Sequence, residues 1–363
     1  MPMKQGDSYT SASLALLRQK LDESQYFRQI RVVPRLGRNA LQEVPVSVEL
    51  TLRPRHAWSG GLGFTTDTGP RARAGYQNRY VNRQGHKANA DFSVSSVRSV
   101  LDGSYTIPLQ DAARQSLNFG LGYSVENNDS FESKRTKFES SLRNETGSGW
   151  QQSLFVDIQS DAYIVGQQED VSFLSMLGMS MSKTRADDLI STREGWKLFA
   201  QIRGASDAVL SDTTFIQAYA SAKHILSIGR GRLLSRVETG ATWIDLTQAL
   251  PASLRYFAGG DQSIRGFDFR SLGPLDSDGA VAGGRHLLAV SMEYDFQVKQ
   301  NWRVAVFTDA GNAFDAPGTL DIRQSAGVGL RWLSPIGPVR IDLAHPFDAP
   351  ESFRLHVTMG PDL

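Results

Sequence analysis

Acids, histidines and arginines are the side chains in this sequence that could do chemistry, and few of them are spaced as a reaction requires. The six histidines, His56, His86, His224, His286, His345 and His356, are scattered. No Gly-x-Ser-x-Gly elbow, His-Glu-x-x-His pair or phosphate loop occurs. The absence of cysteine excludes disulfides, thiolate metal sites and thiol nucleophiles. A hydrolase would need a Ser/His/Asp or Asp/His cluster, and the nearest grouping is His286 and His345 with Asp278 and Asp348. The reading is of a protein that is not an enzyme, with no cofactor and no metal. Asn144-Glu145-Thr146 matches a glycosylation sequon and is taken as chance. Glu293 and Asp309 say more. Glu293 has the parity opposite to Leu288, Val290, Met292, Tyr294 and Phe296, and Asp309 the parity opposite to Trp302, Val304 and Val306. On adjacent strands both carboxylates would face one polar side, where they need a cation.

Such positions need strands, and the sequence supplies them from His56 to Leu363. Segments of about 9 to 13 residues alternate apolar and polar. Leu117, Phe119, Leu121, Tyr123 and Val125 share one face; Trp196, Leu198, Ala200 and Ile202 share another; Phe353, Leu355, Val357 and Met359 close the series. Mean hydropathy is −0.30. No run of about 18 apolar residues exists, so no helix is expected to span a membrane. A transmembrane barrel alternates lipid-facing with lumen-facing residues, and its average looks soluble. A sandwich or propeller would alternate too. Against these stand the aromatics near segment ends (Trp58, Tyr80, Trp150, Trp196, Trp243, Trp302, Trp332) and the lack of a blade-length repeat. The pattern predicts a mainly β chain, an antiparallel transmembrane β-barrel of about sixteen strands over residues 56–363. With 39 Lys+Arg against 38 Asp+Glu, nucleic acid is not an expected partner.

Connections are expected to alternate in length. Asn82–Gly85, Lys299–Asn301 and Ser334–Gly337 read as tight turns; Glu126–Ser133, Asp161–Asp170 and Leu246–Gly284 read as longer loops. The last, about 246–284, is too long to be idle. The first barrel strand carries Gly60, Gly61 and Gly63, which weaken it. It must close against Phe353, Leu355, Val357 and Met359. Ahead of the barrel, residues 1–55 read as a helix, Ser11–Ser24, and two strands, Phe27–Leu36 and Val44–Leu52. Met1-Pro2-Met3-Lys4-Gln5-Gly6 has no apolar leader.

Ile264-Arg265-Gly266-Phe267, then Phe307-Thr308-Asp309-Ala310-Gly311, then Gly327-Val328-Gly329-Leu330-Arg331-Trp332 leading into Ser334-Pro335-Ile336-Gly337-Pro338, resemble in order the motifs of the BamA/TamA-type outer-membrane assembly superfamily. The stretch AGGDQSIRGF and the ending Met359-Gly360-Pro361-Asp362-Leu363 are most similar to its TamA-type members. The resemblance implies the C-terminal part of a POTRA domain in 1–55, with signal peptide and upstream POTRA domains missing, and a sixteen-stranded barrel whose sixth loop folds inward. It implies that Arg265 latches onto Asp309 and Glu293, that Phe307 and Gly311 belong to a barrel motif, and that the seam parts as a lateral gate. The implied place is the bacterial outer membrane. The implied work is assembly of β-barrel and autotransporter-type clients, with phospholipid transport as a further role. The implied partners are unfolded barrel clients, outer-membrane lipids and a TamB-like inner-membrane-anchored periplasmic protein. The alternatives are a two-partner secretion transporter or BamA-type insertase, then a passive porin or an outer-membrane hydrolase.

Overall fold

The computed structural model describes residues 6–8, 10–24, 26–35, 44–166, 168–188, 191–245, 250–334, 337–349 and 352–360. The N-terminal unit is one helix and one ribbon. Helix α1 (Ser11–Glu23) starts where Thr10 accepts from the Ser13 N–H, and the Ser13 hydroxyl lies against Thr10 in return. Strands β1 (Phe27–Pro34) and β2 (Val46–Leu52) pair antiparallel, apart from the barrel sheet. The Tyr26 hydroxyl donates to the Gly85 carbonyl at 2.6 Å, tying this unit to a barrel turn.

Sixteen strands then close a barrel. They are β3 (His56–Thr65), β4 (Gly69–Asn78), β5 (Lys87–Ser95), β6 (Arg98–Pro108), β7 (Gln115–Asn127), β8 (Phe131–Glu145), β9 (Gln151–Val165), β10 (Gln168–Ala186), β11 (Gly195–Ala205), β12 (Phe215–Ile228), β13 (Gly231–Ile244), β14 (His286–Lys299), β15 (Trp302–Phe314), β16 (Arg323–Ser334), β17 (Gly337–Pro346) and β18 (Arg354–Met359). All neighbours are antiparallel and sequential, and β18 returns to β3. The barrel is polar inside and apolar outside. Leu62, Leu121, Leu154, Leu177, Val306 and Val328 point outward and are exposed, while Asp157, Asp161, Glu293, Asp295, Asp309 and Asp342 are buried inside. That inversion suits hydrocarbon around the wall. Trp302 stacks on Trp332 at 5.5 Å, and Lys183 lies over both Trp150 and Trp196, near the mouth where the N-terminal unit attaches. Trp243 sits toward the opposite mouth, the mouth of the long loop.

Two expected loops are strands instead. Glu126–Ser133 shrinks to a turn at 128–130, and within Asp161–Asp170 β9 runs to Val165 and β10 begins at Gln168, because β7 to β10 continue as paired hairpins. Backbone pairing carries those strands past the point where apolar alternation ends. Phe353 also departs from expectation: it precedes β18 and is exposed. The Pro335-Ile336 pair of the third motif and the Pro361-Asp362-Leu363 ending lie outside the described residues.

The apolar core lies in the lumen, where the long connection between β13 and β14, called loop 6 here, folds back against the wall. Leu250 and Leu254 pack with Leu174, Met176 and Phe215; Ile264 and Phe267 pack with Ala258, Leu287 and Ala313. Bridges Tyr256 to Gly284, Ala258 to Leu272 and Leu275 to Val281 satisfy part of the loop's backbone. Burying Ile264 and Phe267 contributes about 1.5–3 kcal/mol each.

Candidate functional site: the loop 6 hairpin and the barrel seam

Ile264 is fully buried and sets the depth of the loop 6 tip. Gly266 has φ +95°, and a Cβ there would stand 3.2 Å from the Pro346 nitrogen, so glycine lets the hairpin lie against β17. Gly311, at φ +149°, has the β14 backbone so close that a Cβ would collide with Leu288 and Ala289. Gly266 thus lets the tip carry Arg265 down onto the wall, while Gly311 lets β14 and β15 approach beside Asp309.

Arg265 then meets three acids from three strands. Its Nε donates to Asp309 Oδ2 at 2.8 Å and its Nη2 to Asp309 Oδ1 at 3.0 Å, a two-pronged bond. Its Nη1 donates to Glu293 Oε2 at 2.8 Å and to Asp342 Oδ2 at 3.2 Å. The Arg265 backbone N–H adds a bond to Asp309 Oδ2 at 3.1 Å. The guanidinium lies 3.5 Å over the Phe307 ring. Arg331 binds Glu293 from the other side, at 2.9 and 2.7 Å, and pairs with Asp342 at 2.7 Å. Arg265, Glu293 and Asp309 are 6%, 7% and 1% exposed, so each charge depends on its partners. The structure thus brings together Arg265, Glu293, Asp309, Phe307 and Gly311. Asp342 and Arg331 complete the network, and residue spacing does not reveal them. Their signal is the inward parity that they share with many other lumen residues.

A second cluster joins the loop tip to the seam. Asp261 Oδ1 accepts from the Thr66 hydroxyl at 2.8 Å, and its backbone N–H donates to Asp67 Oδ2 at 2.6 Å. Thr66 and Asp67 form the turn between β3 and β4. His356 of β18 accepts the Gly266 N–H on Nε2 at 2.8 Å and places Nδ1 against Asp261 Oδ1. Asp261 therefore touches both sides of the seam. Burial first, and the neighbouring Asp261 carboxyl second, push Asp67 up to about 7. Asp67, Asp261 and His356 hold their ligand atoms within 4.8 Å, as a metal site would. The Gly266 N–H argues against a metal there. It requires an unprotonated Nε2, which puts the imidazole proton on Nδ1, the atom a metal would need.

The seam itself is slight. β3 pairs with β4 along all of His56–Thr65, yet meets β18 in one registered pair, Thr65 with Thr358. Bonds from the Thr66 N–H to the Val357 carbonyl and from the Val357 N–H to the Thr66 hydroxyl extend the contact by one residue. Gly60, Gly61 and Gly63 pair only with β4, so among the described residues the other edge of β3 below Thr65 has no strand beside it. Leu355 is exposed on the outer face, and Val357 and Met359 belong to the same short strand. The rim histidines remain apart: His286 stacks on Phe314, and His345 faces Phe347 and Phe353.

Comparison with known proteins places this architecture. The Omp85 superfamily domain matches residues 46–361. The outer membrane protein assembly factor BamA of Nitratidesulfovibrio vulgaris is 25% identical over 375 residues, covering 96% of this chain and 46% of that protein. BamA of Neorickettsia risticii is 26% identical over 291 residues, covering 75% and 34%. The chain spans less than half the length of these curated relatives. Among solved structures, BamA from Haemophilus ducreyi lacking POTRA domains 1-3 is similar with TM-score 0.83 at 18% identity, covering 98% of this chain and 80% of that one. CdiB from Acinetobacter baumannii gives 0.63 at 13%, covering 99% and 69%. At these identities the structural likeness is one of fold. With the superfamily domain matched over nearly its whole length, this chain belongs to the Omp85 superfamily.

Proposed function

We propose that this chain works in the bacterial outer membrane as an assembly barrel, inserting β-barrel and autotransporter-type clients through its seam. The observation that carries the reading is the junction between β18 and β3, where among the described residues one registered pair joins a sheet otherwise zipped along its strands. An unpaired strand edge is a template for another strand. The edge of β3 that no described residue pairs below Thr65, weakened by Gly60, Gly61 and Gly63, would offer its N–H and C=O groups to a client strand. Client folding supplies the free energy. Arg265, held by Glu293 and Asp309, keeps loop 6 in the lumen while the seam works. The relatives named for assembly support this reading, and so does the order of the three sequence motifs.

The finer assignment is to the TamA type, with residues 1–55 as the C-terminal part of a POTRA domain. Its partner would be a TamB-like periplasmic protein anchored in the inner membrane, and phospholipid transport a further role. A two-partner secretion transporter is the other reading. It would pass a client through the lumen, of which loop 6 fills the half next to its own mouth. The deciding experiment is a disulfide between Thr65→Cys and Thr358→Cys. Oxidation is expected to stop insertion of a barrel client into liposomes, and reduction to restore it. Undiminished insertion by the oxidised protein would overturn the gate.

A further inference from the structure

Lys197 of β11, Lys223 of β12 and Arg236 of β13 are direct cross-strand partners in one row. Arg236 reaches the loop 6 carbonyl of Ser263, so this row faces the lumen. Like charges directly opposite one another on a sheet are destabilising. Neither lysine has an ion pair or hydrogen bond among the described residues, and the buried Arg236 Nε has no partner. Glu238, the one acid on β13, stands opposite Ser221, diagonal to Lys223 and two residues from Arg236; it attracts both cations but forms no ion pair with either among the described residues.

The row borders a cavity of about 60 Å³ beneath the Arg265 hairpin, which Lys223, Arg236, Arg340, Asp261 and Thr358 help to line. The acids around it are already engaged. Glu293 and Asp342 are held by Arg265 and Arg331, and Asp261 by Thr66, the Asp67 N–H and His356. Among the residues that line the cavity, Lys223, Arg236, Arg265 and Arg340 outnumber Asp261, Glu293 and Asp342, so the lining itself carries one positive charge in excess. Thr358 is also the seam residue that pairs with Thr65, so the cavity lies directly behind the barrel's weakest junction.

We infer that Lys223 and Arg236, with Lys197 at the outer end of the row, form a lumenal binding site for a phosphoryl oxyanion. A tetrahedral phosphoryl group takes separate hydrogen bonds from an ammonium and a guanidinium, and it answers the repulsion that the row otherwise carries. The site is independent of the assembly reading, since a secretion barrel would hold the same row. The oxyanion has two sources, free phosphate in the lumen or a lipid headgroup at the seam.

The test uses the full chain, first in detergent with inorganic phosphate and then in nanodiscs of phosphatidylcholine with or without phosphatidylglycerol. Thermal unfolding is the readout. Phosphate or the anionic lipid is expected to raise the Tm saturably in the wild type. Lys223→Gln and Arg236→Gln are expected to weaken the half-saturating concentration about tenfold or more, the worth of one charge-assisted hydrogen bond. Lys223→Gln should unfold no earlier than wild type without phosphate, because it relieves repulsion; a merely structural lysine would do the reverse. Arg143→Gln, which removes a lumen cation outside the cavity, should leave the response unchanged. A response to free phosphate alone assigns a soluble oxyanion, and one to phosphatidylglycerol alone assigns a headgroup. No saturable response in either arm, or equal responses in wild type and both site variants, overturns the site.

Discussion

Arg265 answers two problems with one side chain. Glu293 and Asp309 face each other's strands in a buried space, and the guanidinium fork reaches both while stacking on Phe307. Arg265→Ala leaves Asp309 buried without that partner and should cost about 3–5 kcal/mol, read as a lower Tm and loss of heat-modifiable gel migration. Arg265→Lys should rescue little, since an ammonium cannot reproduce the fork. Equal stability of all three proteins would remove the latch from the account. Asp67 gives the seam a pH dependence. A carboxyl held up at about 7 binds its proton more tightly folded than unfolded. Its stabilisation is complete below the ordinary carboxylate range, about 4, and is lost as pH rises through about 7. Hydrogen exchange at Asp261 and Gly266 should therefore quicken between pH 5 and pH 8 by more than the intrinsic exchange rate does, about a thousandfold. Asp67→Asn should abolish the excess.

At the scale of elements, the contrast between β3 and β9 matters most. β9 is paired on both edges along its length, with β8 and β10, whereas β3 has β4 on one edge and little on the other. In an antiparallel ribbon, alternate residues aim their N–H groups away from the partner. Every second amide between His56 and Phe64 should exchange rapidly, while the amides of β9 stay protected. Uniform protection of β3 would mean a fuller seam than this one. Thr66→Val removes the hydroxyl that accepts from Val357 and donates to Asp261, and it should loosen both β18 and the loop tip by about 1 kcal/mol.

The whole molecule is a wall with its core on the inside. Loop 6 supplies much of that core, and its clusters with β9, β10, β12 and β14 fill the half of the lumen next to its own mouth. Replacing residues 252–283 by a short turn should raise single-channel conductance severalfold over the intact protein and lower the Tm. Unchanged conductance would show that the lumen is blocked elsewhere. Although the chain as a whole is nearly neutral, the lumen holds a local row of like charge, where Lys197, Lys223 and Arg236 stand opposite one another on adjacent strands.

Alternation with a period of two told which face each residue takes. That was enough to set Leu121 and Val306 on one face and Glu293 and Asp309 on the other, and to expect a barrel of about sixteen strands. The helix was equally local, expected over Ser11–Ser24 and found over Ser11–Glu23; its cap at Thr10 is the structure's detail. Height around the barrel was another matter. A strand's parity does not say which inward residue of one strand stands level with which residue of the next, because register is set by hydrogen bonding around the closed sheet. Only the tertiary structure could bring Asp342 and Arg331 to the Arg265 hairpin, set His356 beside Asp261 and Asp67, and align Lys197, Lys223 and Arg236. The same register leaves Thr358 and Thr65 as the registered pair between β18 and β3 among the described residues, a consequence of stagger that no single strand encodes.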